Sequence, residues 1–556
     1  MKNTLKLFAT FVFASLFSLQ IYSQSKEFEI SKNIDIYSSL FKELRMNYVD
    51  EINPGELNEA AIDAMLESLD PYTVYISESE IEDYQFMTTG QYGGIGALIQ
   101  KRENHIIISE PYEGFPADKA GLIAGDRIIS IDGKEVKGMD ASQVSELMKG
   151  QPGSSFEIVI ERPGIEKKMT KTLTREEIKI DDIPYYGMLE NKTGYIKLRS
   201  FTDNSGKAVA DAFEDLKENH GMEAIILDLR NNGGGLLHEA VNILDIFVDK
   251  GELIVETKGK LPDKNKTYKT RRKAIDSEIP VAVLINDRSA SASEIVSGAL
   301  QDLDRGVLIG ERTFGKGLVQ NILPLSYNTK AKVTVAKYYI PSGRCIQEID
   351  YSGKYEQNGN NVPDSLVKTF ETKNGRKVYD SKGIRPDIEI KPKESSRIAM
   401  TLYANNHIFD FATQFKQKHD SIPPAGKFEI DEAIYDKFIG FLNGKEFEYT
   451  TETEKALDNL KEKAKNEDYL QFIEDELQEL EKDLSAHKKN DLQTFSNDIK
   501  ELLRNEIVTR YYYQEGAVEG SLKSDKQLEK AMEVLSNQDL YQGILSGEYK
   551  ADSQKE

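Results

Sequence analysis

Three hydroxyls and a carboxylate crowd into Ser289-Ala290-Ser291-Ala292-Ser293-Glu294, and a glycine-flanked lysine follows at Gly315-Lys316-Gly317. A serine hydroxyl becomes a useful nucleophile only when a base takes its proton. A lysine can be that base if its amine is neutral, and burial favours the neutral form. Ser291 is the candidate nucleophile and Lys316 the candidate base. The surroundings suit this chemistry. Residues 280–286 (PVAVLIN) are apolar and β-branched and read as a buried strand. Ile295, Val296, Ala299, Leu300 and Leu303 then recur at helical spacing, so a helix is expected to begin near Ser291. A serine at a strand-to-helix turn meets free backbone N–H groups and the positive end of the helix dipole, both able to stabilise an oxyanion.

Two plainer readings stand beside this one. Ser291 and Glu294 fit S-x-x-E, a helix-capping box that needs no chemistry. Spacing alone is also compatible with Lys316 as a surface loop lysine. Its flanking glycines permit a sharp turn, and Thr313 and Gln320 could hold an inward-pointing amine by hydrogen bonds. The other candidates are weaker. None of the six histidines sits in a recognisable triad motif. His238, just after a glycine turn, reads as a helix-surface residue. The single cysteine, Cys345, has no convincing histidine partner, and no Gly-x-Ser-x-Gly elbow surrounds Ser291.

The elements that must carry these residues fill a long chain. Its 556 residues call for two to four domains. A net charge of -22 argues against nucleic acid as a partner. Residues 1–23 read as a signal peptide, with Lys2 and Lys6 before a short apolar run, an uncleaved anchor being the alternative. Export with one cysteine, hence no internal disulfide, suits a bacterial periplasm.

Residues 24–86 read as a helical region with Ile34, Leu40, Leu57 and Met65 on buried faces. From 87 to 172 the pattern changes to a glycine cluster, short strands, Ala117-x-x-Ala120-Gly121-Leu122 and Gly125-Asp126-Arg127-Ile128-Ile129-Ser130-Ile131-Asp132-Gly133. This unit resembles a PDZ domain of the bacterial protease kind. The resemblance implies that the Gly94, Ile95 and Gly96 loop offers backbone N–H groups to a chain's terminal carboxylate while a ligand strand adds to a sheet edge. Residues 173–394 alternate strands and helices, an α/β core, with a polar excursion at about 350–378. Residues 395–556 read as an acidic helical domain whose Leu470, Ile473, Leu477, Leu480 and Leu484 suit a helical hairpin.

Taken together, several motifs in order resemble the C-terminal processing peptidases, also called tail-specific proteases. They are Leu-Asp-Pro (69–71), Tyr-Gly-Gly-Ile-Gly (92–96), Asp-Leu-Arg-Asn-Asn-Gly-Gly-Gly (228–235), Ser-Ala-Ser-Ala-Ser-Glu (289–294), Gly-Glu-Arg-Thr-Phe-Gly-Lys-Gly (310–317) and Tyr-Tyr-Ile-Pro-Ser-Gly-Arg (338–344). The resemblance implies a crotonase/Clp-protease-like layered core with an inserted PDZ domain. It implies a serine endopeptidase that uses no cofactor and no metal. Its site would hold Ser291 as nucleophile, Lys316 as base, Gln320 in support, and the backbone N–H of Ala292 and of a glycine within 233–235, Gly234 for preference. Glu294 and Thr313 would support the site, and Arg162, at the exit of the PDZ unit, would couple tail binding to it. Partners would be proteins or peptides with unstructured C-termini, and the helical regions would offer surfaces for a second copy or an adaptor. Two rivals are an adaptor with a dead protease core, which would lack the nucleophile or base, and an acyl-CoA enzyme, which would need a nucleotide site.

Overall fold

The computed structural model describes residues 26–351 and 362–549, so the expected signal peptide and part of the polar excursion lie outside the described residues. The chain divides into two units, residues 1–75 and 76–556.

In the first unit, residues 26–47 are helical. A second helix spans Pro54–Glu67, started by Pro54 and by the Asn53 side chain, which accepts from the Gly55 N–H at 3.0 Å. Asp70 ends the run by accepting from the Tyr72 and Thr73 N–H groups at 2.9 and 2.8 Å. The apolar faces of these helices, expected to pack on the core or on a partner chain, are exposed within this chain. Ile34 is 61% exposed and Met65 59%. Two helices alone do not enclose a core.

The second unit is built on a six-stranded sheet in the order Tyr185–Met188, Thr193–Lys197, Ala224–Asp228, Val281–Ile285, Val307–Gly310 and Ile388–Glu389. The first pair is antiparallel and the others are parallel. A parallel sheet needs both faces covered, because its strands are apolar on both. One face carries Ile225, Leu227, Val281 and Val283, which pack on the helices Ser205–Glu218, Leu237–Phe247 and Ala292–Asp302. The opposite face carries Ile226, Ala282, Leu284 and Ile309. It is covered by Leu528, Ala531 and Val534 of the Lys526–Ser536 helix and by Tyr541 and Ile544 of the Gln538–Ser546 helix. The C-terminal region, expected as a separate helical domain from 395, is thus divided: its last two helices are the third layer of the core. A second, antiparallel sheet joins Leu253–Gly259, Lys330–Tyr339 and Leu318–Pro324.

The PDZ unit is a sheet in the order Ala97–Arg102, His105–Pro111, Arg127–Ile131, Ser155–Glu161 and Met169–Thr174, closed over Val144 and Met148 of the Ala141–Met148 helix. Asp140 caps that helix by accepting from the Gln143 N–H at 2.8 Å. The Ala97–Arg102 strand lies at the sheet edge, among the described residues, so its outer side is open to strand addition.

The remaining helices, Arg397–Ala404 to Ser496–Ser521, close on their own core around Phe411, Phe438, Leu503 and Ile507. The helices Glu452–Asn466 and Leu470–Lys488 pair as the expected hairpin, with Leu477 buried. This body grips the PDZ unit. Arg102 pairs with Asp410, Tyr513 Oη donates to Asp118 at 2.7 Å, and Gln514 Nε2 lies 2.6 Å from both oxygens of Glu110. Tyr513 sits at a break in the Ser496–Ser521 helix (φ 49°, ψ -150°) that turns Tyr513 and Gln514 toward the PDZ unit.

Candidate active site

The buried strand Val281–Ile285 delivers the chain to Ser291, and the helix starts at the next residue. Ser291 has φ 56° and ψ -112°, a conformation that costs a side-chain-bearing residue about 1–3 kcal/mol and persists only where neighbours hold it. The neighbours are identifiable. Ser289 Oγ donates to Leu229 O at 2.8 Å, Ser293 Oγ donates to Asn232 O at 2.8 Å, and the Ala290 N–H reaches the same Asn232 oxygen at 3.0 Å. The two flanking serines therefore lace the elbow to the turn after Asp228.

That turn, Arg230 to Gly235, is anchored at its base. Arg230 donates two hydrogen bonds to Asp228, Nε to Oδ1 and Nη2 to Oδ2, and reaches Asp525 and Gln527 of the C-terminal layer. Burial alone would raise the Asp228 carboxyl, but Lys197 and Arg230 beside it outweigh that and hold it well below the usual carboxylate range. Further along, Gly234 has φ 97°, and a Cβ there would lie 2.8 Å from Ser291 Cβ and 2.9 Å from Ala292 N. Only glycine lets the turn lie against Ser291.

Of the three glycines expected to offer an oxyanion donor, Gly234 has its N–H already bonded in this structure. Its N–H is committed to Asn232 Oδ1 at 2.9 Å. The N–H groups of Gly233, Gly235 and Ala292 have no acceptor among the described residues. Gly234 thus combines a close approach to Ser291 with an N–H bonded inside its own turn.

Glu294 is fully buried and is the hub of the site. Its Oε2 accepts from the N–H of Ser291 at 2.8 Å and of Lys316 at 2.9 Å. Its Oε1 accepts from Thr313 Oγ1 at 2.6 Å and the Gly315 N–H at 2.7 Å. Thr313 Oγ1 in turn accepts from the Ile384 N–H at 2.6 Å. The carboxylate that caps the helix also fixes the lysine loop. Burial pushes this carboxyl up to about 7, against the four donors, which favour the anion.

Lys316 owes its place to the glycines around it. Gly315 has φ 84° and would meet Glu348 if it bore a Cβ, while the Gly317 N–H donates to Gln347 Oε1 at 2.7 Å. Tyr338, buried, points its hydroxyl at the carbonyls of Lys316 and, at 3.2 Å, Ser291. A tyrosine in an apolar strand reads as core, so the motif around Tyr338 does not by itself announce this place.

Ser291, Lys316, Gln320, Ala292 and the glycine turn line one cleft of about 800 Å³. Gln320 stands on the Leu318–Pro324 strand and bonds Thr334 Oγ1 at 3.2 Å. Asp182, Arg199, Tyr112 and Gln514 line the same cleft and were not anticipated, since nothing local in the sequence links them. Three sequence candidates fall elsewhere. His238 lies exposed beside Asp203 and Glu239. Burial raises the Cys345 thiol, which disfavours the thiolate. Arg162 braces the PDZ unit from within, with Nε and Nη2 both 2.7 Å from Asp126 and Nη2 also on Gly121 O. It lines a different cavity from the cleft.

In the PDZ loop, Gly94 ends a strand paired with Glu176–Lys179, the Ile95 side chain is buried, and Gly96 (φ 68°) lies so close to Phe115 that a Cβ would come within 2.4 Å. The loop's carbonyls are spent inward, Ile95 O on the Ala117 N–H and Gly96 O on the Tyr112 N–H, both at 2.8 Å.

Comparison with known proteins agrees with this layout. Residues 192–356 match the model of peptidase family S41, residues 107–162 a PDZ domain, and residues 398–535 the C-terminal helical domain of probable PDZ-proteases. The chain is 36% identical over 343 residues to the carboxy-terminal-processing protease of Bartonella bacilliformis, covering 61% of this chain and 78% of that one. It is 29% identical over 475 residues to the carboxy-terminal processing protease CtpA of Bacillus subtilis, covering 83% of this chain and 99% of the relative. A solved photosystem II D1 C-terminal processing protease is 29% identical over 64% of this chain and 92% of its own, with a TM-score of 0.35.

Proposed function

Because the chain belongs to the carboxy-terminal processing proteases of peptidase family S41, a serine-type endopeptidase family, we propose that its activity runs on Ser291 and Lys316. Neutral Lys316 Nζ takes the Ser291 proton as Oγ attacks the scissile carbonyl carbon. The Ala292 N–H and an amide of the 233–235 turn receive the oxyanion. The C–N bond breaks, the amine leaves with the proton from Lys316, and water, deprotonated by the same amine, releases the acyl group. The observation that carries this reading is the shared carboxylate: Glu294 holds the backbones of nucleophile and base to one oxygen, inside one cleft. Gln320 and Thr313 are positioning residues in this reading.

The PDZ unit captures the substrate's C-terminal tail. The terminal carboxylate meets the Gly94–Gly96 loop and the tail adds to the free edge of the Ala97–Arg102 strand. Substrates are proteins or peptides with unstructured C-termini, and the chain is exported to the periplasm. The exposed apolar residues of the first unit, Ile34 and Met65 among them, suit a second copy or an adaptor. The test is Ser291→Ala, produced in its native envelope and recovered with bound proteins. Enrichment of proteins by their C-terminal sequences supports the reading, and cleavage retained by the variant sinks it. Fractionation that finds the chain in the cytoplasm overturns the compartment.

A further inference from the structure

A second cavity, of about 930 Å³, shares no lining residue with the cleft and is lined by Arg312, Arg344, Arg376, Lys377, Lys382 and Arg385. Six cations meet there in a chain whose net charge is -22. Like charges gathered in one concavity repel unless something answers them. Acids answer two of the six. Arg344 pairs with Asp302 at 2.8 Å, and Arg376 pairs with Asp304 and Asp387, each at 2.6 Å. Asp387 also lines the cavity, but it accepts from Gln301 Nε2 and the Leu308 N–H as well, both at 2.9 Å, so it has little left to give. Arg312, Lys377 and Arg385 have no ion-pair partner among the described residues.

Arg344 gives an independent sign. It is only 1% exposed. Its Nη1 donates to Tyr379 O at 3.1 Å, and its Nη2 to Gln301 Oε1 and Asp302 Oδ1, both at 2.8 Å. Its Nε is buried without an acceptor. Buried donors are nearly always paired, so this wall of the cavity is one acceptor short. We infer that the cavity is a binding site for a phosphate group. A phosphate monoester carries about 1.5–2 negative charges at pH 7, where a carboxylate carries one, and three unanswered cations call for the larger charge. Its oxygens also suit guanidinium forks, and four of the six cations are arginines. The volume exceeds what a lone phosphate fills, so the group is carried on a second phosphate or on a headgroup.

The cavity wall continues into the lysine loop. Arg312 precedes Thr313, and Arg385 follows Ile384. The Thr313 N–H donates to Ile384 O at 3.0 Å, and the Ile384 N–H donates to Thr313 Oγ1 at 2.6 Å. Thr313 Oγ1 in turn donates to Glu294, whose other oxygen holds Ser291 and Lys316. A phosphate bridging Arg312 and Arg385 ties together the two segments beside that pair and steadies Thr313 on Glu294. This effect on cleavage rests on the Ser291 and Lys316 reading; the binding does not.

The experiment titrates the full chain with pyrophosphate by calorimetry, at ionic strength matched with chloride, with and without the paired change Lys377→Gln and Arg385→Gln. Both residues are exposed, and melting without ligand checks that the variant keeps its fold. The variant should bind pyrophosphate about tenfold or more weakly, the effect of losing charged hydrogen bonds. Cosedimentation with phosphatidylcholine vesicles, plain or carrying phosphatidic acid, separates the sources. Capture by the phosphatidic acid vesicles that the variant loses assigns a lipid headgroup, and pyrophosphate binding without such capture assigns a soluble phosphate. Equal affinity in parent and variant, or binding of an oligoglutamate peptide but of neither phosphate probe, overturns the inference. Saturating pyrophosphate should also raise kcat in the parent and not in the variant. A parent kcat that does not move, with binding intact, overturns the link to Thr313 alone.

Discussion

The N–H groups of Ser291 and Lys316 donate to the same oxygen, Glu294 Oε2, at 2.8 and 2.9 Å. Each residue sits on a different loop, so neither can drift without breaking a buried, charge-assisted hydrogen bond. The carboxylate fixes the two backbones and leaves both side chains to the cleft.

Removing either reacting group should end cleavage while leaving the fold. Ser291→Ala and Lys316→Ala are each expected to lower cleavage of an unstructured protein by about a thousandfold or more. Thermal unfolding should stay near that of the parent. Activity within tenfold of the parent in either variant rules that residue out.

Glu294 sets a pH dependence. The anion accepts four hydrogen bonds, and a proton on either oxygen removes acceptor capacity from Ser291, Lys316, Gly315 or Thr313. With a folded-state value of about 7, cleavage should rise with pH through that region. Stability runs the other way for this group. Its value is raised above the roughly 4.3 of an unfolded glutamate, so the folded chain binds the extra proton, and the contribution is lost as pH climbs from there to about 7. Glu294→Gln should lose activity and flatten the limb near 7; a limb unchanged in that variant excludes Glu294 as its source.

Gly234→Ala places a methyl against Ser291 and Ala292 in a backbone region that strains any L side chain. We expect a loss of about 1–3 kcal/mol in stability and a larger loss in kcat than in KM, because the displaced residue is the proposed nucleophile. Parallel urea melts and steady-state rates check both. Unchanged kcat would show that the turn can retreat.

Asp228 should be the acid-sensitive post of the glycine turn. Its carboxyl is held low in the folded chain, so its contribution is complete above the unfolded value of about 3.9 and is lost as pH falls below it. Asp228→Asn leaves Lys197 and Arg230 short of a buried partner, at a cost of about 3–5 kcal/mol. Urea midpoints between neutral and acidic pH should fall for the parent below that value and stay low and flat for the variant.

The last two helices should behave as core. Val534→Ala and Ile544→Ala each remove buried methyls from the layer on the sheet, and Ile544→Ala is expected to cost about 2–5 kcal/mol. Melting temperatures that do not move would show that these helices are an appendage.

Much of the site's local frame was legible in the chain. PVAVLIN followed by Ile295, Val296 and Ala299 reads as a buried strand feeding a helix, and that places Ser291 at its elbow. The PDZ glycines, the alternating core strands and the Leu470–Leu484 hairpin were equally local, because periodicity and turn residues act over a few positions.

What tertiary structure decided was who shares an atom with whom. Sequence distance hides that Glu294 unites Ser291 with the Lys316 loop, that Tyr338 reaches both carbonyls, and that Asn232 takes the Gly234 N–H. Nor could a helical pattern near residue 530 announce which surface it covers: Leu528 and Val534 mark an apolar face, and only the doubly buried strand Ala224–Asp228 supplies the need for it. The motifs determined the chemistry available to this chain. The packing determined which N–H, which carboxylate and which face perform it, since a hydrogen bond depends on ångströms that residue order does not carry.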